Sequence, residues 1–130
     1  MKRMTKRLLP LGALFSLALI VGACGSDPVA ETCTTGSCAQ ECSGGDCSLD
    51  CEQGADCSGD CSGGGCSYSC DGESDCAVNC TGGGCTMTCG GTADCSLACT
   101  GGGCSFVCEA GADCAGSCPT EDCTGNGFDS

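Results

Sequence analysis

The chain has 130 residues, of which 21 are cysteine and 24 are glycine, with 17 Asp plus Glu against 4 Lys plus Arg and no histidine. All four basic residues lie within the first seven positions, so the rest of the chain is purely acidic. Such a surface repels phosphates and argues against nucleic acid, nucleotides and anionic lipid headgroups as partners. Without histidine no Ser-His-Asp or Cys-His set can form, so we do not expect an enzyme.

Residues 1–23 have the pattern of a signal peptide. The basic stretch MKRMTKR precedes an apolar stretch of 14 residues, Leu8 to Val21, which is too short to span a bilayer. Val21-Gly22-Ala23-Cys24 resembles a bacterial lipobox, in which an aliphatic and two small residues precede a cysteine. The resemblance implies removal of residues 1–23 and a lipid on Cys24 that anchors the protein to a membrane. Gly25, where Asp would imply inner-membrane retention, implies delivery to the outer membrane.

The number of cysteines supports this interpretation of Cys24. The alternative is a secreted protein in which Cys24 is an ordinary thiol. Setting Cys24 aside leaves 20 of the 21 cysteines, an even number that can pair completely. Only nine large apolar residues follow Cys24, which is too few to offset the backbone entropy of about 90 ordered residues. In an oxidising compartment, disulfides are therefore expected to stabilise the fold.

A 19-residue repeat organises most of the chain. From Cys61 to Cys80 the cysteines follow steps of 5, 4, 6 and 4 residues, and the same pattern begins at Cys42, Cys61, Cys80, Cys99 and Cys118. A fixed period near twenty residues is typical of stacked arrays. We divide the chain into a lipidated cysteine and tether (24–32), a cysteine-rich repeat domain (33–123) and a flexible tail (124–130).

Each repeat is predicted to contain two short strands and two glycine-rich turns. Nine three-residue inserts between cysteines alternate so that both cysteines and the central residue share one face. Six of the nine large apolar residues occupy these central positions. The longer inserts, such as SGGG after Cys61 and EQGAD after Cys51, are rich in turn residues. The sequence therefore predicts an all-β fold, a small disulfide-rich parallel β-solenoid of about four and a half coils with about 19 residues per coil.

Strand geometry limits which cysteines can pair. Residues four apart on a strand lie about 13 Å apart, whereas a disulfide needs Cα atoms within about 7 Å. The favoured scheme closes every turn with one bridge: Cys33–Cys38, Cys42–Cys47, Cys51–Cys57, Cys61–Cys66, Cys70–Cys76, Cys80–Cys85, Cys89–Cys95, Cys99–Cys104, Cys108–Cys114 and Cys118–Cys123. The alternative joins cysteines 19 residues apart in neighbouring coils, and it leaves an odd member in columns of five. Spacing alone does not decide between them.

An aspartate recurs in phase with the repeat, at Asp56, Asp75, Asp94 and Asp113. Stacking would align these carboxylates about 5 Å apart with no cationic neighbour. In the favoured interpretation each aspartate hydrogen-bonds its own turn and stays solvated, and no cofactor is needed. The alternative is a Ca²⁺ ladder. The repeats resemble the nonapeptide calcium β-roll, GGxGxDxUx, in half-coil length and glycine-rich turns, but they carry cysteine at its apolar positions and the regular aspartate only once per coil.

Other functions fit less well. Twenty thiols could bind soft metals as a metallothionein does, but the CxC and CxxC pairs of that class do not occur in this sequence. An outward Ser/Thr face is similar to insect antifreeze solenoids, yet Thr86 and Thr88 form a single pair rather than an array. Isolated Ser and Asp do not make a catalytic mechanism. We therefore expect a lipid-anchored structural or interaction protein of the cell envelope, with cation binding as the alternative.

Overall fold

In a computed structural model, described for residues 29–128, the chain forms a parallel β-solenoid of about five coils. Sheet A contains β1 (Ala30–Cys33), β3 (Ser48–Cys51), β5 (Ser67–Cys70), β7 (Thr86–Cys89) and β9 (Ser105–Cys108). Sheet B contains β2 (Ser37–Cys42), β4 (Asp56–Cys61), β6 (Asp75–Cys80), β8 (Asp94–Cys99) and β10 (Asp113–Ser117). The predicted all-β solenoid is confirmed.

The register between coils equals the sequence repeat. Cys42 on β2 aligns with Cys61 on β4, and Cys61 aligns with Cys80 on β6. Every pairing between these strands is parallel. From β2 onwards each residue therefore stacks on its equivalent 19 positions away, at a spacing of about 4.8 Å. Strand β1 pairs with β3 at an offset of 18, as Cys33 with Cys51, because the turn after Cys33 is one residue shorter than its equivalents.

Burial alternates along the strands as the pattern of cysteines predicts. Tyr68 and Cys70 of β5, and Cys66 directly before it, are 1 to 3% exposed, while Ser67 faces outward. Each coil thus carries a central side chain flanked by cysteines on the inside. The core is a single narrow stack of sulfur and of the central residues of both sheets.

Aromatic residues in this core lie opposite glycines. A Cβ built on Gly59 of β4 would lie 2.4 Å from a ring carbon of Tyr68. At the other end, a Cβ on Gly116 of β10 would lie 3.0 Å from the ring of Phe106. The space beside Gly59 is therefore filled by Tyr68 of the facing sheet, and the space beside Gly116 by Phe106 together with Phe128, whose ring would lie 2.5 Å from that Cβ. This keeps the narrow core closely packed.

Both ends of the repeat domain extend further than the sequence analysis placed them. Strand β1 begins at Ala30, inside the predicted 24–32 tether, because its backbone pairs with β3 in register, Ala30 opposite Ser48. The sequence signal was weak because β1 has the acidic Glu31 at its central position. Residues 1–28, which include Cys24 and the predicted signal peptide, lie outside the described residues. Nowhere between residues 29 and 128 is there a helix long and apolar enough to cross a bilayer.

Thr124 to Phe128, which lie within the predicted flexible tail (124–130), cap the last coil. Thr124 bridges to Ser105 of β9. The Asn126 side chain accepts a hydrogen bond from the Cys108 amide and donates one to the Cys108 carbonyl, both at 2.8 Å. One side chain thus replaces the backbone partner that β9 would otherwise lack. Phe128 covers the end of the core, edge to face with Phe106 at a centroid distance of 5.7 Å.

Candidate functional site

A disulfide closes every turn between successive strands. The ten bridges join the pairs of the turn-closing scheme, from Cys33–Cys38 to Cys118–Cys123, with Cα–Cα distances between 6.1 and 6.5 Å. In the middle coils the bridged cysteines are fully buried; Cys80 and Cys85 are each 0% exposed. Both sulfurs of each bridge lie inside the solenoid, so solvent contacts only the bridges near the two ends of the solenoid.

Sulfur atoms of neighbouring coils also approach one another. Groups of three cysteine sulfurs lie within 4.8 Å of each other: Cys42/Cys61/Cys66, Cys61/Cys80/Cys85, Cys80/Cys99/Cys104, Cys51/Cys57/Cys76 and Cys70/Cys76/Cys95. All these sulfurs belong to disulfides, and a bridged sulfur is not the thiolate that binds soft metals. In this oxidised structure these clusters are part of the covalent framework.

Five four-residue turns form one edge of the solenoid, which we call the glycine edge: residues 43–46, 62–65, 81–84, 100–103 and 119–122. The remaining four-residue turn, 34–37, lies on the opposite edge, where the Asp56 amide donates a hydrogen bond to the Gly36 carbonyl. Consecutive turns of the glycine edge stack backbone on backbone. A Cβ on Gly82 would lie 2.2 Å from the Gly64 amide nitrogen, and one on Gly101 would lie 2.2 Å from that of Gly83. Separations this short exclude a side chain at Gly63, Gly82 and Gly101. In the last turn, the equivalent position is Thr120.

A shallow trough of about 440 Å³ runs along the glycine edge. Its floor is the three stacked GGG turns, and Asp46 and Asp122 lie at its two ends. The pKa of the Asp122 carboxyl is lowered, first by the hydrogen bond that the Thr120 hydroxyl donates to it and then by the Gly103 amide. The trough therefore offers mainly backbone polar groups and two exposed carboxylates.

The five-residue turns form the opposite edge, which we call the acidic edge: residues 52–56, 71–75, 90–94 and 109–113. The predicted aspartate column lies at the end of these turns. Asp56 aligns with Asp75, Asp75 with Asp94, and Asp94 with Asp113, and all four are exposed. The structure therefore stacks these four carboxylates as the repeat predicts.

The predicted hydrogen bond from each of these aspartates to its own turn is not seen. Across residues 29–128, a carboxylate accepts from its turn backbone at a different position, where Asp71 accepts from the Gly72 amide at 2.8 Å. The four aspartates begin strands, and their side chains point away from the turn because the preceding residue is the buried one; Ala55 and Ala93 are 0% exposed. The column is solvated without being tied to the turns.

A second acidic position on this edge was missed by the sequence analysis. Gly90 lies between Asp71 and Glu109 of the adjacent coils, and a Cβ built on it would lie 3.4 Å from an Asp71 oxygen and 3.0 Å from a Glu109 oxygen. The two carboxylates therefore lean towards each other across a glycine. The signal that could have found them is the 19-residue spacing of the turn positions, which the analysis applied only to the aspartate column.

Two buried polar atoms in the core have no hydrogen-bond partner among the described residues, Gln40 Oε1 and the Tyr68 hydroxyl oxygen. Gln40 donates through Nε2 to the carbonyls of Val29 and Ser48, which ties β1 and β3 together at the first coil. Burial raises the pKa of Tyr68 to about 12, with a further contribution from the negative charge of Asp60.

Comparison with known proteins identifies no family for this chain: no family model, curated protein or solved structure matches it. The fold and the two edges are therefore the basis for any statement about function.

Proposed function

We propose that this protein is a lipid-anchored structural or interaction module of the bacterial cell envelope, carried on the outer membrane and without catalytic activity. One observation carries the proposal: every turn in the described part of the chain is closed by a disulfide, and the strands between the turns pair in continuous register. Such a framework resists unfolding and proteolysis, since it constrains the unfolded chain at ten places. A rigid, covalently closed post suits spacing or presentation at a surface.

The distribution of chemical groups also supports a non-catalytic role. The exposed ionisable groups of residues 29–128 are carboxylates, and the chain has no histidine to act as a base beside them. The trough on the glycine edge is shallow and floored by backbone. The acidic surface favours cationic or neutral partners over phosphate-bearing ones.

Mass spectrometry of the intact protein from membranes tests the anchor. We expect an N-terminus at Cys24 with a mass increase from attached acyl chains, no free thiols, and recovery in the outer-membrane fraction. The Cys24→Ser variant is expected to retain the solenoid and lose membrane association. An unlipidated N-terminus at another residue, or a Cys24→Ser variant that stays in the membrane fraction, would contradict the proposal.

A second candidate function, cation binding, is favoured by the aspartate column. Four exposed carboxylates stack in register, a pattern that Ca²⁺ can neutralise through oxygen ligands. Calorimetric titration of the oxidised protein with Ca²⁺ is the test. Binding heat that disappears in an Asp75→Asn, Asp94→Asn double variant would support this function. Equal heats in the two proteins, or no heat in either, would eliminate the column as its site.

A further inference from the structure

Stacking of the turns lines up the bridges of the glycine edge into a sulfur ladder: Cys42–Cys47, Cys61–Cys66, Cys80–Cys85, Cys99–Cys104 and Cys118–Cys123. The first cysteine of one bridge lies close to both sulfurs of the next. Cys42 Sγ is within 4.8 Å of Cys61 Sγ and Cys66 Sγ, and Cys61 Sγ has the same relation to the Cys80–Cys85 bridge. The Cys61–Cys66, Cys80–Cys85 and Cys99–Cys104 bridges each have a sulfur from the preceding coil within reach.

We propose that this ladder is a disulfide-exchange device, in which a thiol freed in one coil converts the turn-closing bridge of the next coil into a coil-linking bridge. Once Cys42 is released from Cys47, rotation about its Cα–Cβ bond brings its thiolate onto Cys61 Sγ. The Cys42–Cys61 bond forms, the Cys61–Cys66 bond breaks, and the electron pair leaves on Cys66, which then takes a proton from water. The numbers of disulfides and thiols do not change.

The product bridge fits the register of sheet B. Cys42 and Cys61 are direct partners on the parallel strands β2 and β4, so their Cα atoms lie about 4.8 Å apart. That separation is within the range that disulfides span. Cys61 with Cys80 and Cys80 with Cys99 are partners of the same kind, so the same exchange is available at successive coils.

Burial makes exchange between neighbours the main route for the inner bridges. Cys80 and Cys85 are each 0% exposed, whereas Cys118 and Cys123 at the end of the ladder are partly exposed. The exchange described above starts from Cys42, so a small dithiol reductant from solution must first open the Cys42–Cys47 bridge, whose cysteines are 2% and 4% exposed, and exchange depends on such access. When a turn-closing disulfide is broken in one coil, a new bond to the next coil replaces it, so the interior of the solenoid stays covalently linked.

The Cys47→Ser variant tests the proposal, because it leaves Cys42 as a free thiol without any reductant. After oxidative folding, thiols are alkylated in acid-quenched, denatured protein and mapped by mass spectrometry of unreduced peptides. We expect a Cys42–Cys61 cross-linked peptide and label on Cys66. In the matched Cys42→Ser variant, the free thiol is Cys47, which belongs to none of the five sulfur groups above, and the label is expected to stay on Cys47. The label on Cys66 should be about tenfold higher in the first variant.

Label confined to Cys42 in the Cys47→Ser variant would overturn the proposal. Equal label on Cys66 in both variants would also overturn it, because exchange would then occur during folding regardless of which sulfur lies close to the next bridge. If either variant does not fold, wild-type protein treated with less than one equivalent of dithiothreitol, then quenched and mapped in the same way, replaces them. Cys42–Cys61, Cys61–Cys80 or Cys80–Cys99 cross-links support the proposal, and turn-closing bridges alone contradict it.

Discussion

The two edges of the solenoid are built from turns of almost equal length, yet they differ in what they tolerate. On the glycine edge, a Cβ at Gly82 would lie 2.2 Å from backbone. On the acidic edge the nearest backbone atom would lie farther away, at 2.8 Å for a Cβ on Gly111, 2.9 Å for one on Gly91 and 4.0 Å for one on Gly54. The sequence follows this difference, since the three middle turns of the glycine edge are SGGG, TGGG and TGGG, between SGGD and PTED at its ends, while EQGAD, DGESD, GGTAD and EAGAD vary on the other edge. Close backbone stacking restricts the middle turns of the glycine edge to glycine, and the less crowded acidic edge carries charge along its length.

This difference determines which surfaces of the molecule can vary in their side chains. Side chains that could recognise a partner or a cation project from the acidic edge and from the outward faces of the sheets. The glycine edge instead sets the distance between coils and aligns the sulfur ladder. Disulfides close the turns on both edges, so both edges depend on the same covalent framework. Substitutions on the two edges are therefore expected to differ in their effect on stability only while the disulfides are intact.

The largest expected effect is complete reduction, which removes the framework common to both edges. Loops of this size constrain the unfolded chain by about 2 kcal/mol each, so ten bridges contribute roughly 20 kcal/mol as an upper bound. That exceeds the usual net stability of a domain of about 5 to 15 kcal/mol. We expect circular dichroism to show loss of the β signal under reductant in denaturant-free buffer. A reduced, metal-free protein with an unchanged spectrum would contradict the dependence on disulfides.

The next largest effect is expected from substitutions on the glycine edge, where two glycines of the same turn differ in the space around them. Gly82→Ala places a Cβ against the backbone of the preceding turn, and we expect a loss of about 3 kcal/mol. Gly84→Ala is the matched control: its Cβ would be 3.9 Å from the nearest atom, and its φ of +64° is close to the +56° that Asp46 adopts at the equivalent position. Its expected cost is about 1 kcal/mol. Equal losses, measured by thermal unfolding of the oxidised proteins, would show that backbone stacking does not control this edge.

The core between the edges is expected to respond to alkaline pH through Tyr68. Its folded pKa of about 12 lies above the ordinary tyrosine value of 10.0, so the folded state holds the proton more tightly than the unfolded chain does. This contribution, about 2 to 3 kcal/mol, is present below pH 10 and is lost as the pH rises through 12. Tyr68 is the only tyrosine, so tyrosinate absorbance reports it directly.

The Tyr68→Phe variant is the control for this alkaline effect. It removes a buried hydroxyl that has no partner in the described structure, so we expect stability at neutral pH to be equal or higher. Its stability should also lack the decline between pH 10 and 12. A Tyr68 titration near its ordinary value would mean that the hydroxyl is solvated after all.

The smallest effect is expected on the acidic edge. Asp75→Asn removes one charge between Asp56 and Asp94, and relief of like-charge contacts on adjacent strands is expected to add about 0.3 kcal/mol at low salt. The gain should disappear near 1 M salt, where screening extends over only about 3 Å. Ser58→Asn, an exposed neutral substitution on β4, should show neither change. A salt-independent gain would assign the effect to the turn backbone rather than to charge.

Much of the fold was predictable because the repeat and the strand geometry act together. The 19-residue period set the register, and alternation placed Cys66, Tyr68 and Cys70 on one buried face. The limit on Cα separation excluded pairing along a strand, and the turn-closing scheme that it favoured is the pairing that the structure contains. The boundaries were predicted less well, since neither Glu31 in β1 nor Asn126 in the cap carries the cysteine or apolar signal of the repeat.

By itself, the sequence determined the period, the two edges and the inward face of each strand, because these depend on spacing and on local backbone geometry. Tertiary structure alone decided which glycine faces which aromatic ring, as with Gly59 and Tyr68. It also decided how Asn126 completes β9 and how close Cys42 lies to the next bridge. These relations join residues of different coils or different sheets, and the distances between them exist only once the coils are stacked.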